Sequence, residues 1–267
     1  MYPKLFELGA INVYTYGVLL AAAYLTGLQV ALVRARRRGL DANRVMDLGI
    51  YIIISALIGA KLMLLIVEFE HFSLSLADLG VLLRSGGVFY GGLLLAAPVA
   101  FWYMRRHRMP TWATFDIFAP GVVLGHAIGR IGCLMAGCCF GRPTSVPWGI
   151  TFTSPLAASN VGTPLGVTLH PTQLYESGIE LFIFTFLLLT ERRGRPFHGR
   201  TFWGYALLYG IARFIIEFYR GDDRGTVFDV LSTSQFLAIL VVPLSLVMLL
   251  WLGRRGAPEP GRAGIAG

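Results

Sequence analysis

The chain has 267 residues, 55% of them hydrophobic and 14% charged, with a net charge of +8 and a mean hydropathy of +0.63. A soluble domain carries nearer a quarter charged residues, so the composition excludes an ordinary soluble globule and indicates an all-α polytopic membrane protein. The basic excess sits in short segments between apolar blocks, a topological pattern and not the basic face of a nucleic-acid binder. No nucleic-acid partner is expected.

Apolar runs near the roughly 20 residues needed to cross a bilayer predict seven spans, at 13–33, 47–67, 87–104, 115–135, 173–190, 201–219 and 234–252. They form one transmembrane domain over 1–252, with no cleavable leader expected before the first block. The third run is short and contains Pro98, which predicts tilt or bending. Segment 68–85 mixes Glu68, Glu70, His71, Asp78 and Arg84 with Leu and Phe, as a loop or an interfacial helix would. The Gly/Pro/Arg tail 253–267 is expected to be disordered.

Seven spans place the termini on opposite sides. One side collects fifteen basic residues, in the groups Arg34–Arg44, Arg105–Arg108, Arg192–Arg200 and Arg254–Arg262. The other holds five, Lys4, Arg84, Arg142, Arg220 and Arg224, while Lys61, Arg130 and Arg213 fall inside spans. The positive-inside rule then predicts an outside N-terminus and a cytoplasmic C-terminus. Segment 140–172, with five prolines, faces outward and is too long for a simple connector; it reads as a lid or substrate-binding segment.

Four motifs carry polar chemistry into these spans. The first is Gly129-Arg130-Ile131-Gly132-Cys133 through Gly137-Cys138-Cys139-Phe140-Gly141-Arg142. An intramembrane arginine is costly and marks a candidate site. His126 lies one turn earlier on the same face, so the pair suits an anionic headgroup and a proton transfer; a buried carboxylate for Arg130 and a backbone carbonyl for His126 is the structural alternative. The second is the stripe Tyr209, Arg213, Glu217 and Arg220, either a phosphate grip or a structural ion pair; Asp222, Asp223 and Arg224 beyond it read as solvated. The third is His170-Pro171-Thr172-Gln173-Leu174-Tyr175-Glu176, which opens the fifth span and sends Glu176 and Glu180 along one face. The fourth is Ser85-Gly86-Gly87-Val88-Phe89-Tyr90-Gly91-Gly92, whose glycines allow close helix packing and whose Tyr90 serves a site or an interfacial belt. Cys133, Cys138 and Cys139 do not match a C-x-x-C spacing, so no metal is expected. A Cys133–Cys138 disulfide, a thiol or redox role and plain packing stay open.

These motifs, in this order, resemble those of the bacterial phosphatidylglycerol–prolipoprotein diacylglyceryl transferases over about residues 14–252. The resemblance implies seven spans with the N-terminus outside and residence in the bacterial cytoplasmic (inner) membrane. It implies transfer of an sn-1,2-diacylglyceryl group from phosphatidylglycerol to the lipobox cysteine of a preprolipoprotein, with glycerol-1-phosphate leaving and no cofactor. Arg130 and Arg213 match the family's two key arginines, Tyr209, Glu217 and Arg220 match the stripe around the second, and Tyr16 matches a tyrosine near the lipid site. His170 and Glu176 are expected on the substrate-binding side.

Three positions depart from the family pattern. Tyr90 stands where the family usually has histidine, Cys133 where it has asparagine and Cys138 where it has glutamate. His126 is therefore the expected replacement base, with Tyr90 orienting the headgroup or passing the proton. The departures also keep two alternatives in view: a phospholipid-dependent transferase with another acceptor, and a non-catalytic lipid- or lipoprotein-binding relative.

Overall fold

The computed structural model describes residues 2–8, 11–69, 80, 82, 86–192, 197–222, 225–227 and 230–256. Among them are eight helices: α1 (Thr15–Arg37), α2 (Ala42–Val67), α3 (Phe89–Arg106), α4 (Thr111–Ala136), α5 (Pro155–Val161), α6 (Thr172–Arg192), α7 (Arg200–Glu217) and α8 (Thr233–Arg254). Five of them, α1, α2, α4, α6 and α8, are long and apolar enough to cross a membrane. The chain is thus a mostly helical membrane protein. Most of segment 68–85, residues Asp223 and Arg224, and tail residues 257–267 lie outside the described residues.

Among the described residues, three short antiparallel pairs, which periodicity did not predict, accompany the helices. They are β1 (Lys4–Leu8) with β2 (Ile11–Tyr14), β3 (Ile150–Thr151) with β4 (Thr168–Leu169), and β5 (Thr226–Val227) with β6 (Leu231–Ser232). The β3–β4 pair and α5 give segment 140–172 its own architecture, over a small core of Phe140, Phe152 and Leu169. That is why so long a connection is tolerable: it buries its own apolar side chains.

Helix ends follow local chemistry. Asp41 caps α2, accepting from Asn43 N at 2.9 Å and Arg44 N at 3.3 Å. Ser232 and Gln235 form a capping box at the start of α8. The start of α7 is capped from another helix: Asp116, buried on α4, accepts from Gly199 N at 2.7 Å and Phe202 N at 2.9 Å. Its negative charge also suits the positive end of the helix dipole. Helix α3 continues through Pro98 to Arg106.

The chain forms two compact units, Met1–Ala31 with Phe115–Gly267, and Leu32–Thr114. In the second unit α2 and α3 meet backbone to backbone. A Cβ on Gly92 would stand 2.8 Å from Ala56 O, and Val88 N donates to Ala60 O at 3.0 Å. Lys61 spends its ammonium on the carbonyls of Leu82, at 2.7 Å, and Gly86, at 3.5 Å. In the first unit Val123, Ile183 and Leu187 form an apolar cluster with Tyr205, Leu208 and Tyr209 against it. Much of what this unit buries is polar: Thr172, Gln173, Glu176, Glu180, Arg213, Glu217 and Arg220 are all inside, while Phe182, Leu189 and Leu250 are exposed. Apolar outside and polar inside is the arrangement that lipid favours.

Candidate active site

Two carboxylates on α6 anchor the site. Glu176 and Glu180 are one turn apart, face the same way and are fully buried. Arg130 of α4 places Nη2 3.0 Å from Glu176 Oε1. His126, one turn earlier, places Nδ1 2.6 Å from Glu180 Oε1 and Nε2 3.7 Å from Glu176 Oε1. Arg130 Nε donates to His126 Nε2 at 3.1 Å. Tyr209 of α7 donates its phenol to Glu176 Oε1 at 3.1 Å and packs its ring edge-on against His126. Arg220, beyond the end of α7, brings Nη1 to 3.9 Å from Glu176 Oε2. Three elements thus converge on one carboxylate, which draws in two guanidinium groups, an imidazole and a phenol.

Arg213 forms a neighbouring pair. Its Nη1 lies 2.7 Å from Glu217 Oε2, and its Nη2 donates to Ser234 Oγ of α8 at 2.9 Å. Several buried polar atoms in both groups lack a well-directed hydrogen bond among the described residues: Glu176 Oε2, both Glu180 oxygens, Arg213 Nη1, Glu217 Oε2 and Arg220 Nη1. Buried polar groups are normally satisfied. These groups are ion-paired nonetheless: Glu180 Oε1 lies 2.6 Å from His126 Nδ1 and Glu217 Oε2 lies 2.7 Å from Arg213 Nη1.

The loop connections explain how motifs remote in sequence meet. The strand-like stretch after α4 pairs with both flanking motifs: Gly141 N donates to His170 O at 3.0 Å, and Arg142 N donates to Tyr219 O at 2.8 Å. Arg142 Nε also donates to Arg220 O at 3.0 Å. Gly141 is required by this closeness, since a Cβ there would lie 2.5 Å from His170 O and 2.8 Å from Tyr219 O. Asp222, expected to be solvated, instead clamps Arg220 with two hydrogen bonds of 2.8 and 2.7 Å. Burial works against the Arg220 cation, but the Asp222 carboxylate and the Cys139 thiol together raise its pKa above the ordinary arginine value.

The cysteines lie against this network. Their Sγ atoms all lie within 4.8 Å of one another, and Arg130 Nη1 stands 3.6 Å from Cys139 Sγ. Hydrogen bonding from Cys133 and Cys138 pulls the Cys139 thiol below the ordinary value, helped by the cations Arg220 and Arg130. The same sulfur contacts, with Cys133 first, push Cys138 up. The carbonyls of Gly137, Cys138 and Cys139 accept from Thr163 Oγ1 at 3.0 Å, Gln173 Nε2 at 2.7 Å and Thr172 Oγ1 at 2.8 Å. Three side chains from downstream thus satisfy three consecutive carbonyls just past the end of α4.

The remaining predicted residues fall elsewhere. Tyr16 on α1 packs beside the arginine motif, its ring 3.2 Å from where a Cβ on Gly132 would be. His170 joins an aromatic group on the loop side, with Nδ1 3.1 Å from Tyr175 Oη and its ring edge-on to Tyr219. Tyr175 in turn accepts from Trp148 Nε1 at 2.7 Å. Tyr90 opens α3 in the Leu32–Thr114 unit, edge-on to Phe89. Sequence reasoning did not single out Glu180, Thr172, Gln173, Asp222 or Ser234 as site residues. Glu180 carried a signal as a second acidic residue in an apolar run, and Thr172 and Gln173 lay within the motif that opens the fifth span.

The sequence matches the model of one protein family, described as prolipoprotein diacylglyceryl transferase, over residues 3–251. The phosphatidylglycerol–prolipoprotein diacylglyceryl transferase of Clostridium tetani is 37% identical over 246 residues, covering 91% of this chain and 94% of that protein. A Clostridium perfringens protein named phosphatidylglycerol–prolipoprotein diacylglyceryl transferase 2 is 32% identical over 240 residues, covering 88% and 90%. The chain belongs to the prolipoprotein diacylglyceryl transferase family.

Proposed function

We infer that this protein is a phosphatidylglycerol–prolipoprotein diacylglyceryl transferase: it moves the sn-1,2-diacylglyceryl group of phosphatidylglycerol onto the lipobox cysteine of a preprolipoprotein and releases glycerol-1-phosphate. Family membership and near-full-length relatives bearing that name support the activity. The observation that carries the site assignment is the Arg130–Glu176–Arg220 cluster, with Arg130 held between His126 and Glu176.

In this reaction a thiolate attacks the glyceryl carbon. The new S–C bond forms as the C–O bond to the phosphate breaks, and the electron pair leaves on the phosphate oxygen. Fixed cations near that oxygen stabilise the charge that develops there. Arg130 and Arg213 are assigned this role, with Glu176, Tyr209, Glu217 and Arg220 orienting them and Tyr16 and His170 on the substrate side. Arg130 Nε occupies the lone pair of His126 Nε2 in the free site. When Arg130 turns to the lipid phosphate, that nitrogen is released to take the thiol proton. Glu180, 2.6 Å from Nδ1, holds the ring in place. Substrate binding and base exposure are then one event. Tyr90, which stands where the family usually has histidine, is assigned the orientation of the headgroup.

Helices α3 and α7 complete seven spans. At 18 residues each they reach about 27 Å, close to the roughly 30 Å hydrocarbon core. The distribution of basic residues supports an outside N-terminus and a cytoplasmic C-terminus in the bacterial inner membrane.

The deciding experiment is transfer from radiolabelled phosphatidylglycerol to a synthetic lipobox peptide by purified protein in liposomes, with Arg130→Ala as control. Label on the peptide, lost in the variant, supports the assignment. Absence of label from folded protein rejects it in favour of another acceptor or a binding role.

A further inference from the structure

Three thiols beside a phosphate-binding arginine have no part in the transfer reaction as written. Their sequence spacing, 133, 138 and 139, is not that of a zinc motif, and spacing alone predicts no metal. The structure supplies what spacing does not. Cys133 comes from the last turn of α4, and the chain then turns back through two left-handed residues, Gly137 at φ 85° and Cys139 at φ 63°. For a residue with a side chain, that conformation is strained and persists only where its surroundings over-determine it. Here the carbonyls of residues 137, 138 and 139 are each held by a side chain from a downstream element. The outcome is three sulfurs within 4.8 Å of one another.

That set is close to a ligand set. With Zn–S bonds of about 2.3 Å, sulfurs around one ion stand roughly 3.8–4.0 Å apart, so closure asks for up to about an ångström of side-chain movement. Soft thiolates select thiophilic ions over the hard cations that oxygen ligands take. The surroundings suit the charge as well. Three thiolates and a divalent ion carry −1, and Arg130 Nη1 stands 3.6 Å from Cys139 Sγ. A disulfide uses two sulfurs and strands the third, whereas a metal ion uses all three.

We propose that Cys133, Cys138 and Cys139 form a three-thiolate site for a thiophilic d10 metal ion, zinc(II) or copper(I), next to Arg130. Binding forms three S–metal bonds and releases the bound thiol protons to solvent, with no change of oxidation state. An occupied site keeps Arg130 engaged by Cys139 and so opposes its turn toward a phosphate. That last consequence rests on the transferase reading; the binding site itself does not.

The test uses full-length protein in detergent micelles, reduced and stripped with chelator under inert gas. Zinc(II) is titrated against a chromophoric chelator, and cobalt(II) serves as an optical probe for sulfur-to-metal charge transfer. One ion per chain, with a near-ultraviolet charge-transfer band absent from Cys133→Ser, is the expected result. Because that variant can misfold, alkylation of the unmodified protein is read in parallel by mass spectrometry. One equivalent of zinc should slow modification of all three cysteines at least tenfold. Substoichiometric binding, equal binding by folded Cys133→Ser, or unchanged alkylation overturns the site, whether or not the protein transfers lipid. Zinc that binds but leaves transfer unchanged overturns the coupling to Arg130.

Discussion

Thr172 Oγ1 donates to Cys139 O at 2.8 Å across 33 positions of sequence. One residue of the His170–Glu176 motif therefore fixes the backbone of the thiol turn, while Glu176, four residues on, fixes the guanidinium beside it. Helix α6 holds both halves of the site in a single rigid segment.

Removing the Arg130 cation should be severe. Arg130→Ala is expected to lower transfer by about 10²–10³-fold, the usual effect of deleting one preorganised group that stabilises a developing anion. Arg130→Lys should recover little, because an ammonium cannot hold Glu176 with one edge of a planar fork while another edge turns from His126 to a phosphate. Initial rates with labelled phosphatidylglycerol check both.

His126→Ala should abolish transfer while phosphatidylglycerol binding survives. Turnover equal to the unmodified protein would exclude His126 as the base.

Glu176→Ala should be a folding defect before it is a catalytic one. It leaves Arg130 and Arg220 buried without their shared carboxylate, a change that costs about 3–5 kcal/mol. Thermal unfolding in detergent should show a large drop in midpoint. Glu217→Ala exposes the same logic at Arg213, which keeps Ser234 as a partner, so its loss of stability should be smaller.

Gly141→Ala is expected to separate the three loop segments. Its methyl would meet His170 and Tyr219 within 2.5 to 2.8 Å, two of these atoms being backbone. Overpacking of this kind costs about 1–3 kcal/mol. Loss of transfer together with faster proteolysis near residue 142 is the expected result.

Thr172→Val should loosen the thiol turn without touching a charge. It leaves the Cys139 carbonyl without its side-chain donor, at about 1–3 kcal/mol. Alkylation of Cys139 should accelerate in the reduced, metal-free protein.

Helical periodicity made part of this site legible. His126 and Arg130, Glu176 and Glu180, and Tyr209, Arg213 and Glu217 recur at intervals of four, and in the structure each set shares a helix face. What the sequence hid is carried by backbone. Gly141, Arg142, His170 and Tyr219 meet through N–H and C=O groups, which every residue possesses and no motif advertises. Asp222 looked solvated because a carboxylate in a Gly-Asp-Asp-Arg stretch ordinarily is; its bidentate grip on Arg220 depends on a turn that only the fold supplies. The β3–β4 and β5–β6 pairs escaped for a related reason, since two-residue strands leave no period to detect.

The clamps on the thiol turn also set an order of events during synthesis. The three carbonyls of residues 137–139 wait for donors 26, 35 and 33 residues downstream. At roughly 5–20 residues per second, the ribosome leaves the cysteines unsecured for about two to seven seconds after they are made. During that interval the three thiols sit on a turn that no downstream side chain yet pins.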